Sequence, residues 1–243
     1  MKTIAHRATV AYVEAAIGLV RQGVTNAIVG CPHNETAVNA AGIPFSGYPS
    51  LIARLTGTPE EKVFMMLVGG GLLILHATLH ERIDHALARL TPVLIEEAEL
   101  ACAATLERLG IAKPLIGVFG INPHAGENGM FGDDDDYITA PAVPRLRKAG
   151  LEAEGPVGAD VMLSRNDIDG FVAIYHDQGH IPIKLLARRE ASALSVGAGV
   201  LFSSVGHGAL DIAGQNKADP AVLRTLRLVG NLPAERPQVA GAA

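Results

Sequence analysis

Hydrophobic positions along the chain follow helical spacing in some segments and strand spacing in others. A first set of apolar residues recurs every three or four positions, at Val10, Val13, Ile17 and Val20. This pattern ends at Gly23 and predicts an amphipathic helix near the start of the chain. The β-branched run 25–30 then predicts a short strand, and the polar residues 31–36 predict a loop. A helix with no strand before it is an unusual opening for an α/β protein.

The same alternation continues through the middle of the chain. Two apolar runs, residues 63–68 and 72–75, flank three glycines and predict a hairpin. Residues 84–109 are rich in Ala and Leu and predict one long helix that ends at Gly110. Further strands are predicted over 114–121 and 170–175, and a further helix over 138–148. Helices that alternate with buried strands predict a layered α/β fold with a largely parallel sheet.

Composition and charge exclude several classes of protein. Hydrophobic residues make up 49% of the 243 residues, which is too many for a disordered chain. A formal net charge of −5 without a long basic run argues against a nucleic-acid partner. The longest apolar stretch is shorter than the roughly 20 residues that a membrane span needs. Residues 1–7 lack the apolar core of a signal peptide, so we expect a cytoplasmic protein without a membrane segment. Two cysteines, Cys31 and Cys102, are expected to be buried thiols.

Three histidines each follow a predicted strand on a different segment: His80, His124 and His176. In open α/β sheets, the loops beyond the carboxyl ends of the strands form the ligand crevice. Three imidazoles placed there could bind one divalent ion. Spacing alone leaves open the alternative of three separate, partly exposed histidines.

Other polar features carry weaker predictions. The four aspartates at 133–136 favour a solvated helix N-terminus over a metal cluster. The Gly-His-Gly turn at 206–208 could approach a cofactor phosphate, although the full Gly-x-Gly-x-x-Gly fingerprint is not in the sequence. Lys184 follows closely behind His176 and could be a general acid or base, a carboxylate-binding cation or an ordinary surface lysine.

Three motifs together resemble the 4-hydroxythreonine-4-phosphate dehydrogenase family. They are Asn-Pro-His-Ala-Gly-Glu at 122–127, Tyr-His-Asp-Gln-Gly at 175–179 and Gly-His-Gly at 206–208. The resemblance implies a two-domain α/β/α fold like that of the isocitrate and isopropylmalate dehydrogenases. It also implies a homodimer with a shared active site, NAD or NADP, and a divalent metal such as zinc, magnesium, cobalt or iron. The implied reaction oxidises a hydroxyl group near a carboxylate, commonly with loss of carbon dioxide.

The resemblance also implies roles for individual residues by their position in the motifs. Metal binding is implied for His80, His124 and His176, with one of the three supplied by the partner subunit. The family's substrate lysine falls on Lys184. As catalytic roles we expect Lys184 to supply a proton or bind a carboxylate, and Asp177 to orient a ligand or Lys184. Substrate contacts are implied for Tyr48, His33 and Lys184. Cofactor binding is implied for Gly206, His207, Gly208 and Asp211.

Departures from the family pattern indicate a different substrate. Where the pyridoxine-pathway members carry a His-Thr pair that binds the phosphorylated substrate, this chain has Tyr48-Pro49. Where they carry a substrate-binding asparagine and arginine, it has Ala193 and Phe202. Phenylalanine lacks the guanidinium group with which arginine binds an anion through two hydrogen bonds. This replacement argues against a phosphorylated substrate.

Several segments resemble one branch of the family, the terephthalate dihydrodiol dehydrogenases: 31–33, 45–50, 176–186 and 203–208. That branch oxidises a cis-dihydrodiol dicarboxylate to protocatechuate and releases carbon dioxide, and this small carboxylate is the expected substrate. Asn34 stands where the branch carries a second histidine. A dehydrogenase for 4-hydroxythreonine-4-phosphate, or for a related 4-phospho sugar acid, is the alternative. An inactive dimerising remnant is the second alternative.

The family's first strand and loop, which contain Gly-Asp-Pro, have no counterpart before the first predicted helix. We therefore expect an N-terminally truncated two-domain protein. Residues 1–30 and 190–243 would form the remnant of the cofactor-side domain. Residues 31–189 would form the central domain for metal binding and dimerisation.

Overall fold

The structure is a computed structural model that describes residues 2–31, 35–187, 191–205 and 214–216. The helices are α1 (Lys2–Arg21), α2 (Glu35–Ala40), α3 (Tyr48–Thr56), α4 (Ile83–Ala88), α5 (Pro92–Arg108), α6 (Asp134–Tyr137), α7 (Ala142–Lys148), α8 (Ala159–Leu163) and α9 (His176–Ala187). The strands are β1 (Ile28–Gly30), β2 (Phe64–Gly69), β3 (Leu72–His76), β4 (Leu115–Phe119), β5 (Glu152–Val157), β6 (Gly170–Ala173), β7 (Ser192–Val196) and β8 (Phe202–Val205). Short 3₁₀ turns cover Glu60–Lys62 and Pro123–Gly126.

The strands of the described residues pair in one eight-stranded sheet, in the order β1-β8-β7-β2-β3-β6-β4-β5. The predicted α/β class is confirmed. The sheet is mixed rather than largely parallel, because β2 pairs antiparallel with both β3 and β7, and β7 pairs antiparallel with β8. The predicted hairpin is the cause of one reversal. Gly70 and Gly71 both have positive φ angles, which suits a tight two-residue turn between β2 and β3.

Two predicted helices differ from the observed ones, and α9 has no predicted counterpart. The predicted helix over 84–109 is divided into α4 and α5, because Thr91 caps a new helix and accepts a hydrogen bond from the Leu94 amide at 3.1 Å. Pro92 then occupies the first turn of α5. The helix predicted over 138–148 is α7, which begins four residues later. The polar segment that follows β6 is the start of α9, a helix that none of the patterns above predicts.

Two apolar clusters form the core on this sheet. The larger cluster joins the sheet to α5 and α9 and includes Ile74, Ile95 and Ile183. The smaller cluster joins α1, α3 and β8 and includes Ile52 and Phe202. Strands from both clusters belong to the same sheet, and the predicted division into domains at 30/31 and 189/190 stays a prediction.

Two expectations from composition can be compared with the structure. Among the described helices, none is both long and apolar enough to cross a membrane. Cys102 is buried as expected, but Cys31 is exposed, and neither forms a disulfide. Cys31 directly follows β1 at the sheet edge, which explains why an apolar sequence context does not bury it.

Candidate metal centre and active site

Four histidines meet at the edge of the sheet where β3 and β6 end. His76 is the last residue of β3, and His80 follows it by one short turn. His176 and His180 occupy the first two turns of α9, directly after β6. Because β3 and β6 are parallel neighbours, their carboxyl ends lie at the same edge and bring these residues together. We call His76, His80, His176 and His180 the histidine cluster.

Three rings of the histidine cluster bring one nitrogen each close together. One nitrogen each of His80, His176 and His180 lies within 4.8 Å of the others. The ring centroids of His80 and His176 are 5.2 Å apart, and the planes are inclined by 52°. The structure therefore brings together two of the three predicted ligands, and it places His180, to which no sequence pattern pointed, beside them.

Asp177 lies beside the predicted ligand His176. Its Oδ1 is 2.8 Å from Nδ1 of His176. Because an ionised carboxylate can only accept, Nδ1 donates this hydrogen bond, which leaves Nε2 as the nitrogen that can bind a metal. A carboxylate that holds the far nitrogen of a ligand histidine fixes its orientation and raises its basicity. Asp177 is therefore in the position of an orienting group, and its catalytic role stays a prediction.

Lys184 lies two turns beyond His176 on the same helix. The side chain is half-buried, and this burial lowers the pKa of the Lys184 ammonium. Residues 176, 180 and 184 are spaced by four, so they share one face of α9. The predicted metal ligand and the predicted catalytic lysine are thus on one side of one helix.

His124 lies on a separate loop after β4 and is exposed. Its ring centroid is 6.1 Å from that of Phe131, and it does not belong to the metal-spaced group found in the described residues. Residues 124–129 all have positive φ angles, although most are not glycine. Such a left-handed backbone is strained and is concentrated at functional sites. Metal binding by His124 stays a prediction.

Asp135 holds the loop that carries His124. Its carboxylate is buried and accepts hydrogen bonds from the Ile121 amide at 2.7 Å, the Asn122 amide at 2.9 Å and the Thr139 hydroxyl at 2.6 Å. The expectation of a fully solvated acidic run is therefore wrong at this position. The other three aspartates of the run are exposed. Sequence alone did not distinguish Asp135 from them, because the difference is one of burial.

Gln178 is a second support that sequence reasoning missed. Its Oε1 accepts a hydrogen bond from the Ile174 amide at 2.9 Å, and its Nε2 donates to the Gly120 carbonyl at 2.7 Å. It therefore ties the turn between β6 and α9 to the loop after β4. The only signal in the sequence is its place inside the motif at 175–179.

Two members of the histidine cluster are neutral at physiological pH. The pKa of His76 is lowered to about 3, mainly by burial and secondly by the charge of His180. Burial, followed by the charge of His176, lowers the pKa of His180 to about 4. Both rings can therefore act as hydrogen-bond acceptors as well as donors.

Two clefts border His80. The larger, of about 720 Å³, is lined by Leu79, His80, Arg82, Ile83, Tyr175, His176 and Asp177, among others. The smaller, of about 380 Å³, lies towards Ser46 and Ser50. Both volumes suit a small-molecule ligand. Arg82 is paired with Asp84 at 2.8 Å, so the guanidinium in the larger cleft is partly neutralised.

Of the predicted substrate and cofactor residues other than Lys184, the structure describes only Tyr48. Tyr48 is buried, and neither cleft is lined by it. Its hydroxyl is 3.4 Å from the Cys31 carbonyl, and burial raises the pKa of Tyr48 to about 12. Contact of Tyr48 with a substrate stays a prediction. The remaining predicted residues lie outside the described part of the chain: His33, Gly206, His207, Gly208 and Asp211.

Comparison with known protein sequences gives a match over nearly the whole chain. The family profile described as pyridoxal phosphate biosynthetic protein PdxA matches residues 2–226. A 1,2-dihydroxy-3,5-cyclohexadiene-1,4-dicarboxylate dehydrogenase from Comamonas sp is 55% identical over 227 residues, which cover 93% of this chain and 72% of that protein. A D-threonate 4-phosphate dehydrogenase from Cupriavidus necator is 42% identical over 242 residues, which cover 97% of this chain and 72% of that protein.

Solved structures again include a dihydrodiol dehydrogenase and a dehydrogenase of a phosphorylated substrate. A terephthalate 1,2-cis-dihydrodiol dehydrogenase from Burkholderia xenovorans has a TM-score of 0.77 at 54% identity, covering 96% of this chain and 75% of that chain. A 4-hydroxythreonine-4-phosphate dehydrogenase from Klebsiella pneumoniae has a TM-score of 0.81 at 35% identity, covering 94% and 70%. The backbone is thus shared across both groups, whereas sequence identity is greater to the dihydrodiol dehydrogenase.

Proposed function

This chain belongs to the PdxA family, and on that premise we propose that it is a metal-dependent NAD(P) dehydrogenase that oxidises a hydroxyl group near a carboxylate and releases carbon dioxide. The proposed substrate is a cis-dihydrodiol dicarboxylate such as terephthalate dihydrodiol, and the product is protocatechuate. We further propose a cytoplasmic homodimer with a shared active site.

The choice of substrate rests on one observation, a contact between two residues that differ from the family pattern. The ring centroids of Tyr48 and Phe202 are 4.3 Å apart, and Phe202 is fully buried. Ala193, the third departure, lies on the neighbouring strand β7 and is also buried. An aromatic pair in an apolar core offers no charge or hydrogen-bond fork to a phosphate. This packing supports a substrate that carries no phosphate group at this position.

The donor set of the histidine cluster suits a divalent transition metal. Imidazole nitrogen favours zinc, iron or a similar ion, whereas magnesium prefers oxygen ligands. The inclined rings of His80 and His176 allow their lone pairs to converge, and Asp177 leaves Nε2 of His176 available. We propose these two and His124 as ligands, one of the three being supplied by the partner subunit. When bound, the metal would lower the pKa of the substrate hydroxyl and stabilise negative charge on its oxygen.

The chain's own groups would handle the proton and the carboxylate. Lys184 has a lowered pKa and lies on the same helix face as His176, so it could donate a proton or bind a substrate carboxylate. Asp177 would hold the His176 ring in place. Oxidation removes a hydride from carbon and a proton from oxygen, and NAD(P) would accept the hydride. Loss of carbon dioxide then leaves its bonding electrons in the ring, which becomes aromatic.

A comparison of substrates tests the proposed reaction. Formation of NADH or NADPH should be measured with terephthalate dihydrodiol, 4-phosphohydroxythreonine and D-threonate 4-phosphate. We expect turnover with the dihydrodiol and protocatechuate as product. Turnover only with a phosphorylated substrate would support the second candidate, which the 42% identity to the Cupriavidus enzyme favours. No turnover with any of them, in a chain that binds metal, would support the inactive remnant.

A metal analysis tests the proposed ligands. His80→Ala, His124→Ala and His176→Ala should each lower the metal content of the purified protein and its resistance to a chelator. His85→Ala is the matched control, because His85 is an exposed histidine of α4 that lies outside the histidine cluster. Stoichiometric metal in all three variants would exclude this ligand set.

A further inference from the structure

A chain of hydrogen bonds runs from His180 through His76 to the buried backbone, and in each ring the same nitrogen, Nδ1, is the donor. Nδ1 of His76 is 3.3 Å from the Met65 carbonyl, and Nε2 of His76 is 3.1 Å from Nδ1 of His180. The same Nδ1 of His180 is 3.2 Å from the His176 carbonyl. Carbonyl oxygens only accept, so Nδ1 must donate in both rings and Nε2 of His76 must accept. One pair of tautomers, both with the proton on Nδ1, satisfies all three contacts.

The ring of His180 stacks on that of His176 and cannot share an ion with it. Their centroids are 3.6 Å apart, and their planes differ by only 13°. The nitrogen lone pairs of two nearly parallel, stacked rings run side by side and do not converge on one ion. A metal–nitrogen bond is only about 2.1 Å long and lies in the ring plane. His180 therefore supports its neighbour in this arrangement and does not act as a co-ligand.

We propose that His76 and His180 are positioning residues, which hold the His176 ring in the orientation that binds the metal. His180 touches His176 twice, by ring stacking and through the backbone carbonyl. His76 anchors His180 from within the core, where it is fully buried. This inference rests on the proposed metal site at His80 and His176.

The packing of α9 supports a dedicated role for this pair. A Cβ on Gly179 would overlap the imidazole of His76, so a glycine at that position lets the helix approach the buried ring. A polar pair buried in an apolar core costs free energy unless each polar group has a hydrogen-bond partner. A network in which every group is hydrogen-bonded holds the residues that it joins in one arrangement. Here the group at the exposed end of the network is the predicted ligand.

The first test needs no metal. Imidazole ¹⁵N NMR of the metal-free protein should show His76 and His180 with the proton on Nδ1, and His176 in a single tautomer. In His180→Ala, the His176 ring loses its stacking partner and should turn away from Asp177, so its ¹⁵N shifts should move towards the average of the two tautomers, while His85→Ala should leave them unchanged. A His176 spectrum that is the same in His180→Ala and the wild type would overturn the proposal.

The second test measures cobalt binding by visible absorption. We expect His180→Ala to weaken Co²⁺ affinity by about 10- to 100-fold, with unchanged absorption bands at saturation, because the ligands stay the same. The double variant His76→Leu/His180→Leu removes both polar partners together, so it should fold and still lose affinity. A folded double variant that binds Co²⁺ with wild-type affinity would overturn the proposal. Altered Co²⁺ absorption bands in His180→Ala would also overturn it, because they would show that His180 is a ligand. A wild-type chain that binds no Co²⁺ refutes the proposed metal site instead, and the NMR test still decides whether the pair positions His176.

Discussion

At the scale of single residues, Glu99 is the least expected group in the core. It lies on α5 and is fully buried, and neither carboxylate oxygen has a hydrogen-bond partner among the described residues. Burial, followed by the charge of Glu96, raises the pKa of Glu99 to about 8. The folded protein therefore holds a neutral carboxylic acid at pH 7. An unfolded chain exposes the same group to water, where it is ionised.

This difference makes the free energy of unfolding depend on pH. Glu99 is ionised above about pH 4.5 in the unfolded chain but only above about pH 8 in the folded protein, so the unfolded state binds fewer protons between these values. Its contribution to stability should fall as pH rises through this window, by about 1.4 kcal/mol per pH unit. The free energy of unfolding should be measured with urea at pH 5 and pH 8. Glu99→Gln should remove this part of its pH dependence. Glu107→Gln, an exposed position of the same helix, should retain it, and equal slopes in both variants would contradict the assignment.

The candidate site could be predicted from the sequence only where residue type alone indicates chemistry. His80, His124 and His176 could be selected because imidazoles after strands indicate metal binding. His180 and Asp135 could not, because their importance comes from partners that are distant in the sequence or from burial. In the sequence, Asp135 is one of four adjacent aspartates.

Asp135→Asn tests this distinction directly. The amide can replace only part of the acceptor capacity that serves the Ile121 and Asn122 amides and the Thr139 hydroxyl. We expect a loss of about 1–3 kcal/mol in the free energy of unfolding. Asp136→Asn, at the exposed neighbouring position, should change it by less than about 0.5 kcal/mol. Equal effects in urea titrations of the two variants would show that the network contributes nothing.

At the scale of elements, local patterns predicted the hairpin well and α9 not at all. Gly69 to Gly71 separate two apolar runs, and turn chemistry is local, so the sequence is enough. Helix α9 contains Gly179 and Pro182, both of which argue against a helix by propensity. Its buried residues Gly179, Ile183 and Ala187 face the core, and this tertiary packing outweighs the local preference.

Two glycine substitutions in helices should have opposite effects. Gly179→Ala places a methyl group against the His76 ring, so we expect a loss of about 1–3 kcal/mol in stability. Gly18→Ala in α1 meets no atom within 4 Å and should stabilise the protein by up to about 1 kcal/mol, because alanine favours the helix. Thermal unfolding of both variants checks the pair. A neutral Gly179→Ala would mean that α9 does not depend on this close approach.

At the scale of the whole molecule, the family was accessible from motifs, whereas the sheet order was not. The alternation of helices and strands indicated α/β layers but not the antiparallel β7 and β8. The structure also exposes an apolar surface that no local pattern explains. On α9, Ile181, Leu185 and Leu186 are 54%, 72% and 63% exposed, beside the helix face that carries His176 and Lys184. Exposed apolar side chains grouped in this way are typical of an interaction surface, and this one supports the proposed homodimer.

Substitution of Leu185 tests whether this surface joins two copies of the chain. A carboxylate in an apolar interface would be desolvated without a partner, so Leu185→Glu should shift the protein from dimer to monomer in size-exclusion chromatography with light scattering. Val24→Glu is the control, because Val24 is an apolar residue that is 66% exposed and lies outside α9, after the end of α1. If one ligand of the proposed metal site comes from the partner subunit, the monomer should also bind Co²⁺ more weakly. A Leu185→Glu protein that remains dimeric would place the interface elsewhere, and a monomer with undiminished Co²⁺ affinity would show that one chain supplies all the ligands.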